Sequence, residues 1–449
     1  MKRDRDLPGF GSAGTASGSG ARGGSQPDRE FVVLVSICLL ALLVRLGYVL
    51  TLPPRLLWFD GEHYSRLAAG LLEHGTYLND RGRPSAYWPP GYPLFLSAVY
   101  ALFGVNVVAL RVAQCLIGAG TVAVVHRIAR RVLDRSGARL AALATALYPL
   151  FIYSAGADMP VTLQVALIAG GVLLVLVAVE RDSVPAALGA GLLGAWATLV
   201  AGSALPAFVL FALWMAWDRG ATAGRGRSRG LRLALACLLP IVVVLGAWMV
   251  RNERAFGHPV LVSTNGGYNL WLGNHPGVKA STGNRAEAPG AEEVPGMLAE
   301  ARLIWDLPGN EATRDSAFTH RALGYIAADV PRFLRLTLSK SVEFWALVPR
   351  PMTENRPRLG LERLASLCSY GLLLPFALVW LALSLRRSRV AVLVLLLFLI
   401  YTAVHAVILA KVRFRLPLDS FVILYGSGGV VAAARALSRR RRAKPEAGP

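Results

Sequence analysis

The chain has 449 residues, of which 54% are hydrophobic and 17% charged, and its mean hydropathy is +0.48. This composition excludes an ordinary soluble globular protein and makes the bilayer the core. The formal charge of +21 lies in short clusters between apolar runs, a pattern that argues against nucleic-acid binding and for topology signals.

Residues 1–30 are rich in Gly and Ser with scattered Arg; too poor in apolar surface to fold, they are expected to form a disordered cytoplasmic tail. The apolar run from Phe31 to about Leu52 exceeds a signal-peptide core and lacks an Ala-x-Ala exit, so it is expected to remain as a membrane anchor. At roughly twenty apolar residues per crossing, the chain reads as all-α with about ten spans, near 31–52, 106–126, 137–153, 160–180, 184–200, 201–217, 231–250, 363–385, 390–410 and 416–435. Cys38, Cys115, Cys237 and Cys368 fall within apolar stretches with no CxxC spacing, so they read as small buried hydrophobes rather than zinc ligands or disulfides.

The basic clusters alternate with the spans: Lys2, Arg3 and Arg5; Arg127 to Arg139; Arg219 to Arg229; Arg386 to Arg389; and Arg439 to Arg442. The positive-inside rule puts all of them in the cytoplasm and puts residues 53–105 and 251–362 outside. Within the first outer loop, Tyr64, Leu67, Ala68, Leu71 and Leu72 recur at helical spacing before Gly75, and Pro93 opens the apolar segment Leu94–Phe103. Both predict amphipathic helices lying at the interface. The expected organisation is therefore a 1–30 tail, a polytopic membrane domain over 31–437 and a basic cytoplasmic tail over 438–449.

The first outer loop carries two polar, aromatic islands, Trp58-Phe59-Asp60-Gly61-Glu62-His63-Tyr64 and Tyr87-Trp88-Pro89-Pro90-Gly91-Tyr92-Pro93. Asp60 is placed to act as a base toward an acceptor hydroxyl or, alternatively, to cap the following helix. Lys411-Val412-Arg413-Phe414-Arg415 sets three cations on the outer side, against the positive-inside trend. They suit a phosphate at the outer leaflet, the alternative being side chains that snorkel to head groups. His405 lies just inside the membrane edge, where ionisable groups are functional candidates by default. Arg111, near the start of the second span, is a further cation or an interfacial anchor. Arg251-Asn252 ends the seventh span, and Thr264 to Asn274 follows with Gly, Asn and Trp271. That segment suits a sugar's hydroxyls and apolar face, or is plain turn chemistry.

These residues, in this order, resemble the polytopic GT-C glycosyltransferases that use polyprenyl-phosphate sugars, especially the dolichyl-phosphate-mannose protein mannosyltransferase and lipid A aminoarabinose transferase group (glycosyltransferase family 39-like). The likeness runs from about Phe31 to Arg435 and rests on Asp60 and Tyr64, Pro89 to Pro93, Arg111, Tyr148-Pro149, Arg251-Asn252, the Gly-Gly-Tyr-Asn-Leu and Gly-Asn274 elements, and Arg413-Phe-Arg-Leu-Pro. It implies a GT-C-like bundle and an inverting transfer in which Asp60 is the general base, while Lys411, Arg413 and Arg415 hold the carrier phosphate. Tyr64, Arg111, Asp158, Arg251, Asn252, Asn274 and His405 complete the expected substrate-binding set. Two departures stand out: Val161 occupies a position that is acidic in many relatives, with Asp158 as a substitute, and Leu199-Val200-Ala201-Gly202 replaces a Leu-Thr-Arg-Pro-like step.

The expected function is transfer of a sugar from a polyprenyl-phosphate donor to an extracytoplasmic lipid, glycan or protein acceptor at a multi-pass cell membrane, with no nucleic acid as partner. No Walker motif or nucleotide loop is seen, and no cofactor is expected; Asp60, Glu62 and Asp158 are the carboxylates a divalent cation would use, without His/Cys spacing to support one. The rival expectations are a carrier-lipid or small-molecule transporter, and a noncatalytic GT-C-like assembly partner.

Overall fold

A computed structural model describes residues 29–79, 81–217, 226–278, 296–347 and 359–442. Most of the expected N-terminal tail (residues 1–28) and the end of the C-terminal one (443–449) therefore lie outside the described residues, as do parts of the second outer loop. Among the described residues the chain is helical, without a β-strand: α1 (Arg29–Leu50), α2 (Phe59–His74), α3 (Gly91–Phe103), α4 (Val107–Val132), α5 (Arg135–Leu147), α6 (Pro149–Gly156), α7 (Val161–Arg181), α8 (Val184–Val200), α9 (Leu205–Trp217), α10 (Gly226–Phe256), α11 (Gly266–Asn274), α12 (Met297–Trp305), α13 (Glu311–Ala328), α14 (Val330–Phe344), α15 (Leu359–Ser366), α16 (Leu372–Ser384), α17 (Arg389–Val407) and α18 (Val412–Arg442).

Seven helical stretches are long and apolar enough to cross a bilayer, and eight if the bent pair α5–α6 counts as one span. The expected spans at 184–200 and 201–217 form helices shorter than a straight crossing, so the count of ten is not reached. The α5–α6 break, 42°, has a local cause: Pro149 keeps Tyr148 out of the helical region and can only start a new helix. Helix α18 runs on to Arg442, so the expected tail boundary at 438 falls within a helix. Cys115 and Cys237 are buried, but Cys368 is exposed and Cys38 only partly covered.

Ion pairs tie the basic ends of the helices together: Glu30 with Arg139, Arg131 with Glu180, Asp134 with Arg435, and Asp182 with Arg229 and Arg232. These residues sit at the start of α1, α5 and α10 and at the end of α4, α7 and α18. The opposite ends of α7, α8, α17 and α18 meet the two inserted segments, residues 51–106 and 257–358. Helix α2 buries Tyr64, Leu67 and Ala68 and stops at Gly75, whose left-handed backbone (φ 64°) lets its N–H bond Leu71 O. Helix α3 starts against the end of α8. A Cβ on Gly91 would lie 2.6 Å from the backbone of Leu199 and Val200, and Trp196 Nε1 donates to Gly91 O. That approach carries Trp88 and Pro89 to the mouth of the bundle.

The segment read as turns around Gly266-Gly267 is instead α11, which packs on α13. A Cβ on Gly267 would meet Asp315 O at 2.1 Å, and its N–H donates to the Asp315 carboxylate.

Candidate active site

A cavity of about 940 Å³ opens where these elements converge. Asp60 is the second residue of α2; Trp58 holds the cap position and no side chain caps the helix, so the capping alternative for Asp60 is not realised. Its carboxylate instead faces Arg413 of α18, Oδ2 to Nη2 3.5 Å, with both side chains about one-quarter exposed. Lys411, His405, Tyr64 and Phe414 line the same cavity. The His405 ring is stacked between Phe344 and Phe414, 5.5 and 4.8 Å between centroids, and its buried Nε2 has no hydrogen-bond partner among the described residues. Tyr64 packs edge-on to Trp88 and Tyr92. Burial first, and then the Asp60 charge, raise its phenol above the ordinary range, so Tyr64 stays a neutral O–H donor beside the carboxylate.

The other expected site residues do not line the cavity; they form the frame behind it. Arg111 and Asp158 are a buried pair, Nε to Oδ1 3.2 Å, each 1% exposed. Arg111 also donates to Pro53 O and Arg55 O, and Leu57 N–H donates to Asp158 Oδ2 at 2.6 Å. Together they clamp the segment that feeds α2, three residues before Asp60. Burial pushes the Asp158 carboxyl up, opposed by Leu57 N–H and Arg111.

Arg415 is fully buried. It donates to Asp419, which also accepts from the Tyr148 hydroxyl, and to Ala346 O, with its guanidinium over the Tyr370 ring at 3.7 Å. Arg251 donates to Ser85 O and Tyr77 O, and Asn252 to Val260 O; both fasten the outer loops to α10. Asn274 donates to Leu270 O and Val407 O and accepts from Lys340. Trp271, read as a sugar platform, is fully buried and belongs to the core of the outer helices.

Other residues complete the wall. Glu311, at the start of α13, accepts from Ser85 Oγ, Ala86 N–H and Thr264 Oγ1 and so joins both outer segments at the cavity rim. Gln164 of α7 and the rings of Tyr87, Trp88, Tyr268 and Trp305 also line it. Tyr87 and Trp88 belong to the second aromatic island; Trp305 lies in a stretch with no motif around it. The departing residues Val161 and Ala201 both lie on the wall. Asp158 is turned away from it into its pair with Arg111, and thus leaves no carboxylate where Val161 stands.

Among the described residues, no three His, Cys, Asp or Glu side chains come together as metal ligands. Glu62 lines a separate surface hollow with Arg55 and Arg66, Asp158 is turned away, and Asp60 faces a guanidinium. This donor set does not fit a divalent cation.

Residues 88–248 match the family described as dolichyl-phosphate-mannose-protein mannosyltransferase. The matched stretch includes Trp88 of the cavity wall but not Tyr87, Tyr268, Trp305, Asp60, His405, Lys411 or Arg413. Among solved structures, the chain is similar to the archaeal oligosaccharyltransferase AglB from Archaeoglobus fulgidus in complex with an inhibitory peptide and a dolichol-phosphate (TM-score 0.52, 14% identity, 94% of this chain and 52% of that one). It is also similar to the Archaeoglobus fulgidus oligosaccharyltransferase in complex with zinc and sulfate (TM-score 0.53, 14% identity, 91% and 50%). ArnT from Cupriavidus metallidurans bound to undecaprenyl phosphate aligns at TM-score 0.40 and 18% identity over 93% of this chain and 81% of that one. The chain spans about half the length of the oligosaccharyltransferase structures, and no curated protein matches it. The resemblance read from the sequence thus agrees with the family matched over residues 88–248, and the all-helical fold is similar to that of the archaeal oligosaccharyltransferase.

Proposed function

We propose that this chain transfers a sugar from a polyprenyl-phosphate donor to an acceptor hydroxyl on the extracytoplasmic face, with Asp60 as general base. The observation that carries the reading is the pairing of Asp60 with Arg413 on the wall of one cavity, with Lys411 and His405 beside them. A carboxylate and a cation cluster in contact are what a displacement at an anomeric carbon needs. The carboxylate takes the proton of the acceptor hydroxyl, and the oxygen's electron pair forms the new bond to that carbon. The bond to the carrier phosphate breaks, and its electron pair leaves on the phosphate, where Arg413 and Lys411 stabilise the charge. A single displacement inverts the anomeric centre.

Tyr64 and His405 add hydrogen-bonding groups next to the phosphate position. The dolichol-phosphate in the similar archaeal enzyme supports a carrier phosphate as the ligand. The extracytoplasmic side follows from the positive-inside rule, since the ion-paired basic ends lie at the opposite end of the bundle from the cavity. No step is derived through a metal ion.

The decisive experiment is transfer of radiolabelled sugar from a panel of polyprenyl-phosphate donors by the purified protein in nanodiscs. Labelled product formed with wild type and not with Asp60→Asn supports the reading. Donor movement across the bilayer without sugar transfer would replace it with a transporter.

A further inference from the structure

The cavity wall continues outward from Asp60 as an unbroken run of aromatic rings. Phe59 and His63 flank the carboxylate on α2, 4.5 Å between ring centroids. His63 stacks on Trp88 at 5.6 Å and 25°, and Trp88 meets Tyr87 at 5.4 Å. Tyr87 then meets Trp305 of α12 at 5.7 Å, and Trp305 meets Tyr268 of α11 at 5.8 Å. All six line the cavity, as do Asn265 and Asn269. The Tyr87 hydroxyl and the Asn269 side-chain amide carry no hydrogen bond among the described residues, although burial makes the Tyr87 phenol costly to ionise. Rings contributed by four separated stretches of chain, with amides and a neutral phenol between them, form a surface that is apolar in its faces and hydrogen-bonding at its edges.

A pyranose ring has the complementary character: an apolar C–H face and equatorial hydroxyls that both donate and accept. We infer that this outer half of the cavity is a carbohydrate subsite that seats a pyranose against Tyr87, Trp88 and Trp305 and reads its hydroxyls through Asn269, Asn265 and the Tyr87 phenol. The inference rests on the glycosyltransferase reading and narrows it, because the run of rings begins at Phe59 and His63, on the same helix as Asp60 and lining the same cavity. Two sources supply that chemistry, an acceptor glycan and the donor's own sugar.

The test uses the full-length protein in nanodiscs, with methyl α-D-mannopyranoside and cellobiose as probes in saturation-transfer NMR. Saturation of the pyranose C–H protons is expected, falling about fivefold in Trp305→Ala and Tyr87→Leu and returning in Trp305→Phe, which keeps a ring. The Tyr87→Leu change lies in a loop and keeps apolar volume, so it carries the test if Trp305→Ala does not fold. Absence of saturation in wild type, or equal saturation in wild type and Tyr87→Leu, overturns the subsite.

Adding polyprenyl-phosphate-mannose distinguishes the sources. Displacement of methyl mannoside marks the wall as the donor sugar's seat, and retention marks it as the acceptor's; the pyranose site stands in both cases. Binding of undecaprenyl phosphate to the same nanodiscs separates the failures. Lipid binding without glycoside binding removes the subsite and leaves the transferase, whereas glycoside binding without lipid binding does the reverse.

Discussion

Asp60 and Arg413 face each other at 3.5 Å and both are partly exposed, so the pair itself contributes little to stability, about 1 kcal/mol or less. Its importance is chemical. Asp60→Asn keeps the side chain's size, so the fold is expected to survive while transfer slows by about 10²–10⁴-fold; a folded mutant within a few-fold of wild type would remove the base assignment. The cations are expected to separate sharply. Arg413→Ala should weaken polyprenyl-phosphate binding by about 1.5–3 kcal/mol, measured by titration in nanodiscs. Arg415→Ala should leave the affinity of the folded fraction unchanged but cost roughly 3–5 kcal/mol of stability, because it strands the buried Asp419. Equal loss of donor affinity in the two variants would contradict the placement of Arg415. The sequence showed three cations in one segment and could not rank them. Once residues 412 onward are helical, positions two apart differ by about 200° around the axis, which sends Arg413 to the cavity and Arg415 to the core. For the same reason Arg111 and Asp158 were legible as unusual charges but not as partners of each other.

At the scale of elements, the reading was best where local chemistry decides. Helical spacing and Gly75 marked α2 and Pro93 marked α3 to within a turn, whereas the expected span 137–153 ran through the break that Pro149 makes between α5 and α6. It was poorest in the second outer loop, where α11 to α14 owe their existence to packing on one another, and a nine-residue helix such as α11 has no stability alone. The clamp on α2 shows what such packing does for the site. Arg111→Met should destabilise the protein by about 3–5 kcal/mol by leaving Asp158 unpaired, and should lower kcat through a displaced Asp60 more than it weakens donor binding; a loss confined to donor affinity would return Arg111 to the phosphate site. Lys340 makes a comparable joint. Its ammonium, 1% exposed, donates to Asn274 Oδ1, Val407 O and Ile408 O and so ties α14 to α11 and the end of α17. Burial, reinforced by Arg332, lowers its pKa from 10.5 to about 7. Between those values the unfolded chain binds more protons than the folded one, so this group makes stability rise with pH from about 7 to 10.5 and lose that increment as pH falls. Thermal melts of wild type and Lys340→Met should therefore show a stability difference that shifts in favour of wild type as pH rises from 7 to 9.5. Parallel curves would show that Lys340 keeps its charge throughout.

At the scale of the whole molecule, the arrangement is polarised. Basic loops are laced by ion pairs at one end of the bundle, and the cavity lies at the other, between the two inserted segments. The sequence revealed that polarity through the alternation of Arg clusters with apolar runs, because charge placement is a constraint each loop meets separately. Ten crossings were expected where seven or eight helical stretches are long enough to span alone, because α8 and α9 are apolar but short; α8, rich in Ala and Gly, makes close contact with α7 and α10. Polarity also makes the strongest global prediction. With the exposed Cys368 replaced by Ser, single cysteines at Glu73 and Arg302 should react with a membrane-impermeant maleimide on intact cells, and cysteines at Ser136 and Arg181 only after permeabilisation. These four positions are exposed and lie on α2, α12, α5 and α7, so labelling reports sidedness rather than burial. Reaction of Glu73Cys and Ser136Cys from the same side would break the bundle's two-ended organisation. Reaction of the Ser136 and Arg181 variants alone from outside would invert it and place the Asp60 cavity, with whatever acceptor it serves, in the cytoplasm.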